Sequence, residues 1–505
     1  MKASRRGTGT GPQRLAAASA ASVEEDVSAS TEAAEVTFLE RAELTAHGSH
    51  IRRAKTPRRD PSERRKVHAL PQAPKWSRTA IAWRVALATA VLGGFIALLA
   101  TDALALVSAT TTPPLVSFVL TGFGLAASTY FLLTLYHALR YRPVTLLAGT
   151  KLPRVTVIVP AYNEGAHVRV ALESALASDY PEDRLEIIAI DDGSKDDTWE
   201  HILAVAGQHP TRIVPIQQPR NMGKREALKV GFEEATGELV VTVDSDSKLD
   251  PMAVRNIIAP MVADSEVAAV AGRVLVLNRT ESIWTRLLSA RFYLTFDLAR
   301  AAQSRFGAVL CTPGALSAYR KSAVDGVLAQ WSEQTFMGQP CTIAEDRALT
   351  TWLLRTGHRS VYQRTAVVET IVPENIRKMF RMLVRWERGN IREDLVMLPL
   401  LATKWRPRDQ WWPTMEIVLE LTQYPVAWLG LGMVFVRLMQ HPESILTVGA
   451  CVVFGAVVQC LYCLRSDRTS DFFFGVGYAL FAFVGLQWVF PYSLVTVRDG
   501  RWLTR

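Results

Sequence analysis

Two aspartates one residue apart, Asp244 and Asp246, close the run VVTVDSDSKLDP over residues 240–251. Carboxylates so spaced at the end of a strand can share a divalent cation through hard oxygen ligands, and the cation can hold a diphosphate in turn. Taken alone, an Asp-x-Asp reads as a solvated turn. Its neighbours turn the reading toward chemistry. Asp191-Asp192-Gly193-Ser194 places carboxylates at another strand end, and Val159 to Glu164 (VPAYNE) forms a third such loop. Asn221-Met222-Gly223-Lys224-Arg225 opens a helix where backbone N–H groups and two cations converge, a seat for phosphate oxygens. Further on come Cys311-Thr312-Pro313-Gly314-Ala315, then Ala344-Glu345-Asp346-Arg347 at a helix start, then Arg381 to Trp386 (RMLVRW). A carboxylate at a helix start is commonly a cap. In a transferase, however, one carboxylate must take a proton from an acceptor hydroxyl, and Asp346 is the best placed. Arg385 can pair with a diphosphate, and Trp386 offers a flat face to a sugar ring.

These residues need a scaffold that brings strand ends together. Apolar runs at Val155–Val159, Ile187–Ile190, Ile213–Ile216 and Leu239–Val243 alternate with helical patterns such as His167–Ser178 and Lys224–Ala235. Such alternation predicts an α/β domain over 150–395 with a mostly parallel sheet, whose ligand sites lie at the carboxyl ends of the strands.

The rest of the chain points to a membrane. Of 505 residues, 49% are hydrophobic, too many for a wholly soluble enzyme of this length. Residues 79–141 read as two membrane spans, about Thr79–Val107 and Leu115–Leu139. Residues 396–505 read as an interfacial segment followed by about three more, Met415–Leu438, Ile445–Leu464 and Phe472–Val495. Arginine-rich amphipathic stretches at Ile376–Trp405 and Ser282–Gln303 suggest helices lying in the interface. Basic residues flank the first two spans outside (Lys75, Arg78, Arg140, Arg142), which places the domain in the cytosol. Five crossings would put the arginine-bearing tail RDGRWLTR on the far side, against the same rule. Residues 1–78 are poor in large apolar residues and read as a disordered basic tail. They hold 15 Lys and Arg against 9 Asp and Glu, hence +6 of the net +9, so the charge belongs to a tail facing lipid headgroups and no nucleic-acid partner is implied. Five scattered cysteines support neither a disulfide framework nor a zinc site.

The order VIVPAYNE, DDGS, NMGKREAL, VDSDSKLDP, CTPGALSAYR, AEDRALT, VRWERGNIRED, from about Val155 to Leu400, resembles the membrane-embedded processive family 2 glycosyltransferases. Within them it is similar to the hyaluronan synthases and the nodulation-type chitin-oligosaccharide synthases. The resemblance implies a Rossmann-like GT-A catalytic domain inserted between transmembrane helices of a multi-pass protein of the cell membrane. It implies that Asp192 contacts the uridine of a UDP-sugar, Lys224 its diphosphate or sugar, and that Asp244 and Asp246 hold nucleotide and metal, Mg2+ or Mn2+, on Asp246. Asp346 would be the general base, Arg385 and Trp386 would line donor diphosphate and acceptor sugar, and Glu345 and Arg347 would join the substrate-binding residues. Partners would be a UDP-sugar, most simply UDP-N-acetylglucosamine, a growing polysaccharide and membrane lipid. Two departures stand out. Met382 replaces the glutamine of the Gln-x-x-Arg-Trp motif, with Arg381 beside it as a compensating group, and Pro313-Gly314-Ala315 replaces Ser-Gly-Pro. They leave room for two other expectations: transfer of one sugar to a lipid carrier, and a catalytically silent nucleotide-sugar-binding protein.

Overall fold

A computed structural model describes residues 114–147, 149–403, 409–465 and 470–500. The expected tail over 1–78 and the span over 79–107 lie outside the described residues. The α/β half is built on an eight-stranded sheet in the order β3-β2-β1-β4-β7-β6-β10-β5. Its strands are β1 Val155–Ala161, β2 Leu185–Asp191, β3 Ile213–Gln217, β4 Leu239–Thr242, β5 Ser247–Leu249, β6 Val267–Val276, β7 Ser317–Arg320 and β10 Arg359–Thr370. A separate two-stranded hairpin, β8 Thr335–Phe336 and β9 Gln339–Pro340, lies between the last two. Every residue of β1 and β4 is buried, as unbroken β-branched runs require when helices cover both faces.

The sheet is more mixed than the alternation of strands and helices suggests. β3, β2, β1 and β4 are parallel, but β7 runs antiparallel to both β4 and β6, and β5 antiparallel to β10. The cause is local: β7 and β5 are strands of four and three residues entered from irregular loops rather than from crossover helices. The right-handed βαβ logic governs only the first half of the domain.

In chain order the helices that matter are α1 Pro114–Arg140, α2 His167–Leu176, α3 Thr198–Gln208, α4 Lys224–Glu234, α5 Ile283–Phe292, α6 Glu345–Arg355, α7 Ile376–Met397, α8 Trp411–Gln440, α9 Ile445–Cys460, α10 Ser470–Gly485 and α11 Val489–Val495. Only α1 and α8, among the described residues, are long and apolar enough by themselves to cross a membrane, and the α/β domain lies between them in the chain. Helix α9 is 16 residues long and gives way to a tight 3-10 turn at Leu461–Arg465. Helices α10 and α11 meet at a bend of 53°, the shape of a broken span or a re-entrant loop. After α11 the chain returns to the catalytic domain. Arg388 of α7 pairs with Asp499 at 3.3 Å, and the Thr342 hydroxyl donates to the Gly500 carbonyl at 2.7 Å. Residues 496–500 therefore lie against the α/β domain. The apolar face of α7 (Met379, Met382, Leu383, Val384) is spent on the domain core, so this helix does not offer it to an interface.

The two halves are fastened at Asp297, in a short π-helical stretch after α5. Its buried carboxylate accepts from the Tyr362 hydroxyl (2.8 Å) and Arg364 Nε (2.7 Å), both on β10, and from the Tyr462 hydroxyl (2.9 Å) in the turn after α9. Burial alone would raise its pKa, but Arg364 and Arg273 override that and hold it low. Replacing Asp297 by Ala leaves the partly buried Arg364 guanidinium without its counter-charge, at a cost of about 3 kcal/mol, the low end for a buried pair. Thermal unfolding of the Asp297→Ala protein in detergent should show a midpoint roughly 10 °C lower. An unchanged midpoint would mean that the network contributes nothing to holding the halves together.

Candidate active site

Each loop at the carboxyl end of the sheet is tied to the next. After β1, Asn163 takes a left-handed conformation, φ 52°, receives the Lys195 amide on its side chain (2.9 Å) and donates its own amide to Ser194 (2.9 Å). Glu164 accepts from the Ser245 hydroxyl at 3.0 Å, which joins this loop to the one after β4. Gly193 has φ +66°, and a Cβ there would stand 2.4 Å from the Arg220 carbonyl carbon, so only glycine lets the β2 loop pass beneath residues 220–221. One step before it, Asp192 accepts the amides of Met222 (2.7 Å) and Gly223 (2.8 Å). Burial raises the pKa of this carboxyl, against the effect of the two amides. The amides expected to seat phosphate are thus used to fix the loop that launches α4.

That launch delivers Lys224 into the centre. Its ammonium bridges Asp244 (2.5 Å) and Glu345 (3.0 Å), one from the β4 loop and one from the start of α6. Burial works against the ammonium, and the two carboxylates override it, raising the Lys224 pKa. Gly314 makes the room, since a Cβ there would lie 2.6 Å from Lys224 Nζ. Lys224 in return holds Glu345 below the usual carboxylate range despite burial. Asp346 behaves oppositely: burial, and then the Glu345 charge beside it, push its pKa up. Its oxygens accept the amides of Gly314 (3.0 Å) and Arg347 (2.7 Å), which aim the carboxylate into the cavity. Helix α6 begins from Ala344 at φ 56°, a strained conformation for a non-glycine residue. Gly389 of α7 accommodates it, because a Cβ at 389 would stand 2.4 Å from that of Ala344.

All nine residues singled out in the sequence, Asp192, Lys224, Asp244, Asp246, Glu345, Asp346, Arg347, Arg385 and Trp386, line one cavity of about 1630 Å³. That exceeds the roughly 300–1,000 Å³ typical of a single small-molecule pocket. Trp386 packs at a tilt near Phe292 and Phe296, at centroid distances of 5.9 and 6.0 Å. Arg385 loses basicity through burial but is drawn back by Glu345, Asp346 and the aspartate pair. Arg347 is engaged with Asp394 of α7 and, at 3.6 Å, with Glu420 of α8, so it braces α6 against a helix long and apolar enough to cross a membrane. Arg381 is exposed and outside the cavity, whereas Met382 is buried on its wall, so Arg381 does not take the place of the missing glutamine.

The aspartate pair has the character of a cation site. Burial and the neighbouring Asp244 charge push Asp246 up to about 6, and Thr370 donates to it at 3.2 Å. Among the described residues no cluster of three or more His, Cys, Asp or Glu could cage a metal. Two hard carboxylates with phosphate and water completing the shell is the usual pattern for Mg2+ or Mn2+, and the residues fit it. Sequence reasoning missed Thr370, Arg300 and the carboxylates Glu416 and Glu420, which line the cavity from β10, the segment after α5, and α8. Two acids four apart in an otherwise apolar helix were the available signal for the last pair.

Comparisons with known proteins bear on the fold and the activity. Residues 153–389 match the family described as glycosyltransferase like family 2. A protein of Azorhizobium caulinodans named N-acetylglucosaminyltransferase is 31% identical over 364 residues, which cover 70% of this chain and 87% of that protein. Its namesake in Rhizobium meliloti is 31% identical over 366 residues, covering 70% and 82%. A mannosyltransferase from Pyrobaculum calidifontis, solved with GDP-Man and Mn2+, shares the fold at a TM-score of 0.52 and 23% identity, over 72% of this chain and 97% of that one. With a relative so similar over most of its length, the chain belongs to glycosyltransferase family 2, a family of sugar-transferring enzymes.

Proposed function

We propose that the protein is a membrane-embedded, inverting β-glycosyltransferase that takes N-acetylglucosamine from UDP-N-acetylglucosamine and adds it to a growing oligosaccharide passed across the membrane. The single observation that carries this reading is the reach of the cavity. From Asp192 and Lys224 it runs past Asp346 and Trp386 to Tyr130 of α1 and Glu416 of α8, the two helices able to span a membrane. In this reading donor and acceptor meet where the cavity reaches those two helices.

The chemistry follows from the side chains. Asp346, ionised, accepts the proton of the acceptor hydroxyl, whose oxygen attacks the anomeric carbon as its bond to UDP breaks. The charge growing on the diphosphate is offset by Lys224 and Arg385. Trp386 offers its face to the acceptor ring. One displacement inverts configuration, so an α-linked donor gives a β-linked product. A divalent cation held by Asp244 and Asp246 would add positive charge at the diphosphate, a reading supported by the Mn2+ with which the Pyrobaculum enzyme was solved. The names of the rhizobial relatives favour N-acetylglucosamine over the paired sugars of hyaluronan. Membership of an enzyme family sets aside the catalytically silent reading.

Asp346→Asn should reduce transfer from UDP-N-acetylglucosamine with Mg2+ or Mn2+ by about 10²–10⁴-fold while UDP still binds, measured by isothermal titration. Full activity in that variant would remove Asp346 from its role. Because transfer needs the ionised base and the Asp346 pKa is raised, the rate should fall as pH drops through a value above the ordinary aspartate range. Glu345→Gln removes the like charge, so the acid limb of its pH–rate profile should move to lower pH; a limb that stays in place would deny the coupling. Mass spectrometry of the products decides the last point: oligosaccharides of several units are expected, whereas lipid bearing one sugar would replace elongation with single transfer.

A further inference from the structure

Resting on the reading of the cavity as a donor and acceptor site, we propose that Arg300 binds the terminal acceptor sugar, donating hydrogen bonds to its oxygen atoms beside Asp346. Arg300 opens the short helix Arg300–Ser304, is 5% exposed and lines the cavity. Its guanidinium lies over the Phe296 ring at 4.2 Å. The Cys311 thiol hydrogen-bonds it, and the charges of Cys311, Tyr362 and, as the acid, Asp346 act on it. Its Nη1 has no hydrogen-bond partner. Other arginines of this wall are engaged: Arg291 with the Tyr478 hydroxyl, Arg347 with Asp394 and Glu420. A guanidinium taken out of water without a paired carboxylate is held at a cost, and a ligand oxygen in reach of it offsets that cost.

Its place identifies the ligand. Phe296 connects Arg300 to the Trp386 face, and Gln303, one turn on, bonds to Glu416 of α8. Arg300 is thus linked through Phe296 to Trp386 and through Gln303 to α8, on the wall where this reading puts the acceptor. The molecule that occupies this position carries hydroxyl and acetamido oxygens and packs its ring against aromatic faces, which describes the end of the acceptor chain. The planar fork of five N–H donors can take two such oxygens at once and fix which hydroxyl faces Asp346.

The test uses the full chain in detergent, as the parent and as Arg300→Gln and Arg300→Lys, with UDP, UDP-N-acetylglucosamine and added oligosaccharide acceptors. In Arg300→Gln the KM for an N-acetylglucosamine oligosaccharide should rise at least tenfold while the Kd for UDP stays within threefold of the parent, and Arg300→Lys should recover part of the difference. A parallel series with a glucuronate-ended acceptor separates the sources of the oxygen: loss with the neutral acceptor places a hydroxyl or acetamido oxygen on Arg300, loss with the acidic one alone a carboxylate. An acceptor KM unchanged in both variants, or a UDP affinity that falls in step with it, returns Arg300 to a packing role. Should Arg300→Gln fail to bind UDP at all, the folded Arg300→Lys protein decides by the same two constants. A parent enzyme that transfers to no acceptor overturns the functional reading itself and this assignment with it.

Discussion

Four carboxylates crowded about Lys224 are the constraint on which the rest of the structure depends. Asp244 and Asp246 come from the end of β4, Glu345 and Asp346 from the start of α6, a hundred residues later. Like charges at such separations in a poorly solvated cavity repel strongly. Lys224, bonded to one member of each pair, is what lets them coexist. Its position in turn demands the Asp192 contacts that hold the loop before α4, and the bare backbone of Gly314. The same arrangement differentiates the second pair: the acid nearest the lysine stays ionised, and its neighbour is left with a raised pKa, suited to taking and giving up a proton.

Much of this was legible in the sequence, for a physical reason. Residues that do chemistry in a parallel α/β domain sit where strands stop, and strands buried on both faces leave unbroken apolar runs that end abruptly. Asp192, Asp244 and Asp246 follow such runs directly, and Asp346 opens an amphipathic helix, so their convergence could be read from the strand logic. What depends on tertiary approach could not. The antiparallel β7 and β5 are too short to carry a periodicity. The Met222 and Gly223 amides had an attractive alternative use. Arg381 adjoins the motif in sequence but points away from the cavity, and Arg300 adjoins no motif at all. The spans were harder still: α9 and the bent pair α10–α11 are apolar enough to suggest crossings, yet length and bend depart from a simple one.

The cavity and the membrane helices are mechanically joined at several points. Asp297 ties β10 to the turn after α9, Arg347 ties the base-bearing helix to α8, and Arg388 ties α7 to the returning C-terminal segment. Each is a charged contact inside a poorly hydrated junction, where misalignment is costly. Such fastenings favour a fixed orientation of the domain over these helices rather than a hinge.

The contact between Ala344 and Gly389 carries a lesson about variation. Residue 344 sits in a backbone conformation that an L-amino acid adopts reluctantly, and its methyl group occupies the space that a side chain at 389 would need. The two positions are therefore not independently mutable: any larger residue at 389 would have to be matched by glycine at 344. Across descendants of a common ancestor they should change together or not at all, a linked pair whose history records how the start of α6 is set.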